Sequence, residues 1–166
     1  MINWYVLQVF NRKSSLLVNH LNKYHEIEAF QIFYEYYHRS HRQYEIKPMF
    51  VNYIFVKTKL NQAQFSQLLD EINSQNNGLI KQIKNKDTSA LRDEEIQMFE
   101  KLMDKSYIIK KSQIILEDKR AKVIQGPLKI FENNIIRIDK HDRYAYLNLW
   151  FINHQIKVGI EITSKK

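Results

Sequence analysis

The chain has 166 residues, 44% of them hydrophobic, and a formal net charge of +8, which is enough apolar material for one or two packed domains and excludes wholesale disorder. The absence of cysteine excludes disulfides, thiolate metal sites and cysteine nucleophiles and fits a reducing compartment. Met1-Ile2-Asn3-Trp4-Tyr5 lacks the basic-then-apolar order of a secretory signal, and no run approaches the roughly 18 apolar residues of a membrane span, so a cytoplasmic protein is expected.

Trp4 to Phe10 is rich in aromatic and β-branched residues and predicts a buried strand. Leu16, Leu17, Leu21 and Tyr24 then recur at helical spacing, which predicts a helix over 12–24. Glu28 to Tyr37 returns to strand chemistry, and His38-Arg39-Ser40-His41-Arg42 reads as the turn of a long hairpin that comes back through Tyr44 to Met49. Phe50 to Lys57 is the strongest strand signal in the chain. Phe65, Leu68, Leu69 and Ile72 follow the i, i+3, i+4, i+7 pattern of a helix with one buried stripe. Gln75-Asn76-Asn77-Gly78 stops that helix, Leu79 to Ile83 is a short strand, and a third helix is expected over 93–104, burying Ile96, Phe99, Leu102 and Met103.

Beyond Tyr107 only strands are predicted, at 121–125, 134–138, 144–151 and 155–158, with turn residues between them. Close, even spacing of short strands suggests a small barrel. The fold class read from this pattern is α+β: an antiparallel sheet with helices, followed by a small all-β barrel. The expected boundaries are 1–106 for the first domain, 107–118 for a short linker and 119–166 for the barrel.

No nucleotide-binding glycine loop, phosphate loop or nucleophile elbow is present, so catalysis is not expected, and no cofactor is implied. His38 and His41 are the nearest to a metal pair, but they sit beside Arg39 and Arg42, which repel a cation. Asp93-Glu94-Glu95 fits a helix N-terminus better than an acidic catalytic cluster. The positive charge favours contact with phosphate, since each neutralised phosphate releases counterions. Alternation places Tyr53 and Phe55 on one face of their strand, where they fill the core or, on a face without helices, form an apolar patch for a partner.

Trp4-Tyr5-Val6, a helix, a long hairpin and then Pro48-Met49-Phe50-Val51-Asn52-Tyr53-Ile54-Phe55-Val56 resemble the N-terminal domain of the NusG family, where the last segment usually reads Leu-Phe-Pro-Gly-Tyr-Val-Phe-Val. Val123-Ile124-Gln125-Gly126-Pro127-Leu128-Lys129, ending near Val158, resembles a KOW motif. Asn52, Asn133 and Asn153 stand where the family often has Gly, and Asn is the non-glycine residue that best tolerates positive φ. Val51 for Pro and Ile130 for Gly have no such excuse. The resemblance implies a monomeric factor that holds the coiled coil of the largest RNA polymerase subunit through Phe50, Tyr53 and Phe55, joined by Tyr5 and Phe10. Gln75 and Asn76 match the place where some relatives read non-template DNA, although the turn itself explains them as well.

Within the family, Gly126-Pro127-Leu128-Lys129, Ile135 to Lys140 and the short approach Ser112 to Glu117 look most like the specialised LoaP-type antiterminators, which are recruited through an RNA hairpin. Lys119, Arg120, Lys122, Lys129, Arg137, Lys140, His141, Arg143 and Lys157 make the expected barrel basic and are the candidates for that RNA contact. Two alternatives stay open: a general factor whose KOW domain docks a ribosomal protein or Rho, and a ribosome-associated KOW protein.

Overall fold

A computed structural model of the chain describes residues 1–73, 75, 77–84 and 90–165, with 164 and 165 described by their backbone alone. Internal contacts divide it into two compact units, residues 1–32 with 49–97 and residues 33–48 with 98–166. Among the described residues no helix is long and apolar enough to cross a membrane. The fold is α+β, as the sequence pattern suggests.

The first unit is built on an antiparallel sheet in the order β2 (Ile27–Phe30), β5 (Tyr53–Thr58), β1 (Asn3–Val9), β6 (Leu79–Ile83). Helices α1 (Ser14–Leu21) and α2 (Gln62–Asn73) cover one face. Alternation sends Tyr5, Leu7 and Val9 of β1 and Ile54 and Val56 of β5 toward Leu17, Leu21, Phe65, Leu69 and Ile72. Each such side chain contributes about 1.5–3 kcal/mol on burial. The other face carries Trp4, Phe30 and Phe55, with centroids 5.5 Å apart for Trp4 and Phe30 and 5.7 Å for Phe30 and Phe55.

The second unit holds two sheets. Strands β4 (Gln43–Pro48), β3 (Phe33–His38) and β7 (Ile108–Ile109) form one, and β10 (Ile135–Asp139), β11 (Tyr144–Phe151), β12 (His154–Lys165), β8 (Ser112–Glu117) and β9 (Arg120–Gln125) form the other, in that order. Gly159 of β12 runs so close to β3 that a Cβ there would collide with the Glu35 carbonyl. The second half of α3 (Asp93–Leu102) brings in Phe99, which meets Phe151 edge-on at 5.0 Å. Its start has the acidic first turn the sequence suggests, and the Glu95 carboxylate accepts from the Arg92 N–H at 3.0 Å, a capping arrangement.

Several expectations change. The stretch 28–37 is two strands in different sheets, β2 and β3, broken at buried Gln31 and Ile32. The expected linker 107–118 contains β7 and β8, and β8 pairs with both β9 and β12, so it is sheet and not tether. The hairpin 33–48 groups with residues 98–166, whereas the expected boundaries put it with the N-terminal domain. In α3, Met98 is buried in place of Ile96 and Met103, which are half-buried. Asn153 has positive φ as expected, but Asn52 and Asn133 do not. The hairpins β8–β9 and β11–β12 instead turn through Asp118-Lys119 and Ile152-Asn153, each pair with both φ between 49° and 65°. That is the type I′ geometry that matches strand twist.

Candidate functional site

Five aromatics are the sequence candidates for an apolar grip, and the structure separates them. Tyr5 is in the core: its ring stacks on Phe65 at 4.4 Å and its hydroxyl donates to the Leu60 carbonyl at 2.9 Å. Phe50 and Phe55 are 2% and 0% exposed, with ring centroids 5.8 Å apart. These three rings face inward, so they shape the unit and do not line its surface. Each is buried for the same reason, that an apolar ring gains more from packing than from water contact, whether on a strand as for Tyr5 and Phe55 or in the turn before β5 as for Phe50.

Phe10 and Tyr53 differ. Phe10 directly follows β1 and is 60% exposed; Tyr53 begins β5 and is half-buried. Backbone bonds gather them at one end of the sheet, with Val9 N–H donating to the Asn52 carbonyl and Phe10 N–H to the Gly78 carbonyl, both at 2.9 Å. Val51, also exposed, stands in the turn just before Tyr53, where the family pattern has Pro. Gln75 is exposed in the turn after α2, and Asn76 lies outside the described residues.

The basic candidates belong to the second unit and are also sorted. Lys119, Arg120 and Arg137 line one open hollow of about 470 Å3, together with Glu132. Lys122 is exposed on β9 and Lys129 on the 3-10 segment Pro127–Asn134. Lys140 and His141 are exposed in the β10–β11 turn, which Asp139 holds by accepting from the N–H groups of His141 and Asp142 at 3.0 and 2.9 Å. Among the described residues none of these lysines and arginines forms an ion pair with a carboxylate. Unpaired cations in such number repel one another and favour an anionic partner. Arg143 is the exception in role: its guanidinium lies 3.6 Å over the Tyr37 ring and donates to the Tyr44 hydroxyl at 3.3 Å. Tyr44 in turn donates to the Ile160 carbonyl at 2.6 Å, so Arg143 braces the hairpin against β12.

Cross-strand register places Arg137, Tyr146 and Lys157 side by side on β10, β11 and β12. Arg137 sits 3.9 Å over the Tyr146 ring, and Lys157 Nζ 4.3 Å over Tyr144. On the hairpin, Lys47 Nζ sits 4.1 Å over Tyr36. Burial, and next the nearby charge of Lys47, push the Lys157 ammonium below the ordinary lysine value, while Asp142 and Asp139 pull the other way. Lys47, Tyr36 and Tyr146 are absent from the sequence candidates. The alternations Tyr34-x-Tyr36-x-His38 and Tyr144-x-Tyr146 were the available signal.

At the hairpin tip His38, His41 and Glu45 bring ligand-type atoms within 4.8 Å of one another. The His rings are stacked at 3.8 Å and 9°, so their in-plane lone pairs run side by side instead of converging. His41 Nδ1 is 2.6 Å from Glu45, and His38 Nδ1 accepts from the His41 N–H at 3.2 Å. The Glu45 carboxyl is held below the usual range by the Gln43 amide first and His41 next. This cluster is a hydrogen-bonded clasp that closes the hairpin.

Residues 2–100 of the chain match the family model described as transcription termination factor nusG. A comparison with curated proteins gives no match.

Proposed function

Because the chain belongs to the NusG family, we propose that it is a transcription elongation factor acting as a processive antiterminator. In this reading the first unit holds RNA polymerase through the coiled coil of its largest subunit, and the basic C-terminal strands hold a leader RNA hairpin. The polymerase contact centres on Phe10 and Tyr53, with Val51 in the turn just before Tyr53, since Phe10 and Val51 are exposed and Tyr53 half-buried at that end of the sheet. Phe50 and Phe55 support that end from inside. In the same reading Gln75, exposed in the turn after α2, contacts non-template DNA. Clamping one conformation of the polymerase shifts its population away from paused states, which requires only that the factor bind that conformation better.

The observation that carries the RNA half is the set of cations without carboxylate partners on β9, β10, β12 and their turns. We read strands β8 to β12 as the KOW-like barrel, starting at Ser112 and not at residue 119. Lys119, Arg120, Lys122, Lys129, Arg137, Lys140, His141 and Lys157 are its RNA-facing groups, and Arg143 is a brace. A template encoding a leader hairpin upstream of an intrinsic terminator tests this: the full chain should raise read-through, and deletion of the hairpin should abolish the effect. Unchanged termination on both templates would contradict it.

One observation favours a second reading, in which the barrel docks a protein such as a ribosomal protein or Rho. Trp150 is 61% exposed and Ile136 59%, both on strands of the barrel sheet. Capture of such a protein by the wild-type chain but not by Trp150→Ser would support it.

A further inference from the structure

The hairpin β3–β4 and the strands β10–β12 share one row of aromatic rings. Successive centroids lie 6.0 Å apart for His38 and Tyr36, 6.1 Å for Tyr36 and Tyr34, 6.2 Å for Tyr34 and Tyr144, and 6.3 Å for Tyr144 and Tyr146. Tyr34 and Tyr144 are buried and join the two halves, while Tyr36 and Tyr146 are half-buried and keep part of each ring open to solvent. Three cations line the row: Lys47 over Tyr36, Lys157 over Tyr144 and Arg137 over Tyr146. Strand register fixes their places, because Lys47 pairs with Tyr34, and Tyr146 pairs with both Arg137 and Lys157.

None of the three cations forms an ion pair with a carboxylate among the described residues. Lys47 and Lys157 are close enough for the charge of one to disfavour that of the other. Adjacent like charges beside half-exposed rings are costly to hold in a free protein and are relieved by a chain of phosphates that also carries flat, stackable groups. A duplex buries its base faces, so only an unstacked strand can use the rings and the cations together. We propose that this row is a binding track for an unpaired polynucleotide strand, with phosphates at Lys47, Lys157 and Arg137 and bases against Tyr36 and Tyr146. The track deepens the RNA reading above and rests on it. It adds the hairpin's Tyr36 and Lys47 to the basic strands, and it specifies that unpaired nucleotides are what the surface takes.

The test is fluorescence anisotropy of the full chain with labelled oligouridine, oligothymidine of equal length and a blunt RNA duplex. Oligouridine should bind tighter than the duplex. Tyr36→Leu and Tyr146→Leu should each weaken it about tenfold, as loss of one stacked base does. Lys47→Gln, at an exposed position, should lower the slope of log affinity against log salt by about 0.7. Equal binding of oligothymidine means that the track accepts either sugar, and weaker binding means that it selects RNA. If the duplex binds as tightly, and the row variants match wild type while Lys119→Gln/Arg120→Gln loses affinity, the track is wrong and the RNA reading stands. If no RNA binds, both fall. Displacement of oligouridine by polyglutamate at equal charge also overturns the track, since it leaves the rings without a role.

Discussion

Tyr34 and Tyr144, 110 positions apart in the chain, meet in the interior of one unit with their hydroxyls 3.4 Å apart. The pair joins a hairpin strand to a strand of the C-terminal sheet, and its titration gives the first prediction. Burial, more than any neighbouring charge, raises both phenols above their ordinary value of 10.0. A raised folded-state value means that the fold favours the neutral phenols. Their contribution is therefore complete below pH 10 and is lost as pH climbs from there through the folded values. Urea midpoints should fall above pH 10, and Tyr34→Phe/Tyr144→Phe should flatten that fall. An equally steep fall in the double variant would assign it to other groups.

Tyr5 supplies a test of inside against outside. Tyr5→Phe removes the hydrogen bond to Leu60 and keeps the stack on Phe65, so stability should drop by about 1 kcal/mol. Affinity for polymerase should not change. A loss of affinity in a folded Tyr5→Phe protein would return Tyr5 to the contact surface.

Arg143 is expected to matter for folding and not for RNA. Arg143→Gln gives up the stack on Tyr37 and the bond to Tyr44, together about 1–2 kcal/mol. Thermal melting should show this, whereas Lys140→Gln, at an exposed turn position, should melt within about 0.5 kcal/mol of wild type. RNA titration below the melting range should show the reverse order of effects.

Gly159 is held to glycine by space. The Glu35 carbonyl stands where a Cβ would go, and a backbone atom cannot swing aside as a side-chain tip can. Lys111 N–H also donates to the Glu35 carboxylate at 2.8 Å, fixing that stretch of β3 further. Gly159→Ala should cost about 1–3 kcal/mol by chemical denaturation.

Much of this architecture is legible in the sequence where one periodicity runs unbroken. The stripe Phe65, Leu69 and Ile72 marks α2, and the largely apolar run from Tyr144 to Phe151 marks β11 to the residue. Legibility fails where the chain changes partner without changing chemistry. Gln31 and Ile32 carry no glycine or proline, yet the chain leaves one sheet and enters another there. Asn153 marked its turn, but the I′ partners Lys119 and Ile152 were hidden for a related reason, since Lys and Ile are poor markers of positive φ. The family pattern points to a grip near Phe50 to Val56, but strand alternation alone could not say which side chains are covered, and Phe50 and Phe55 are buried. The ring and cation row was beyond any local reading, because Tyr34 and Lys47 meet Tyr144 and Lys157 only through the tertiary fold.

Polymerase binding is the property on which the rest depends, and a titration onto core RNA polymerase measures it most directly. The full chain should bind, Phe10→Ala/Tyr53→Ala should lose about 2 kcal/mol, roughly thirtyfold, while still melting cooperatively well above the assay temperature, and polymerase lacking the tip of the largest-subunit coiled coil should bind neither. Equal affinity of the double variant, or wild-type binding that survives deletion of the coiled-coil tip, would contradict the assignment.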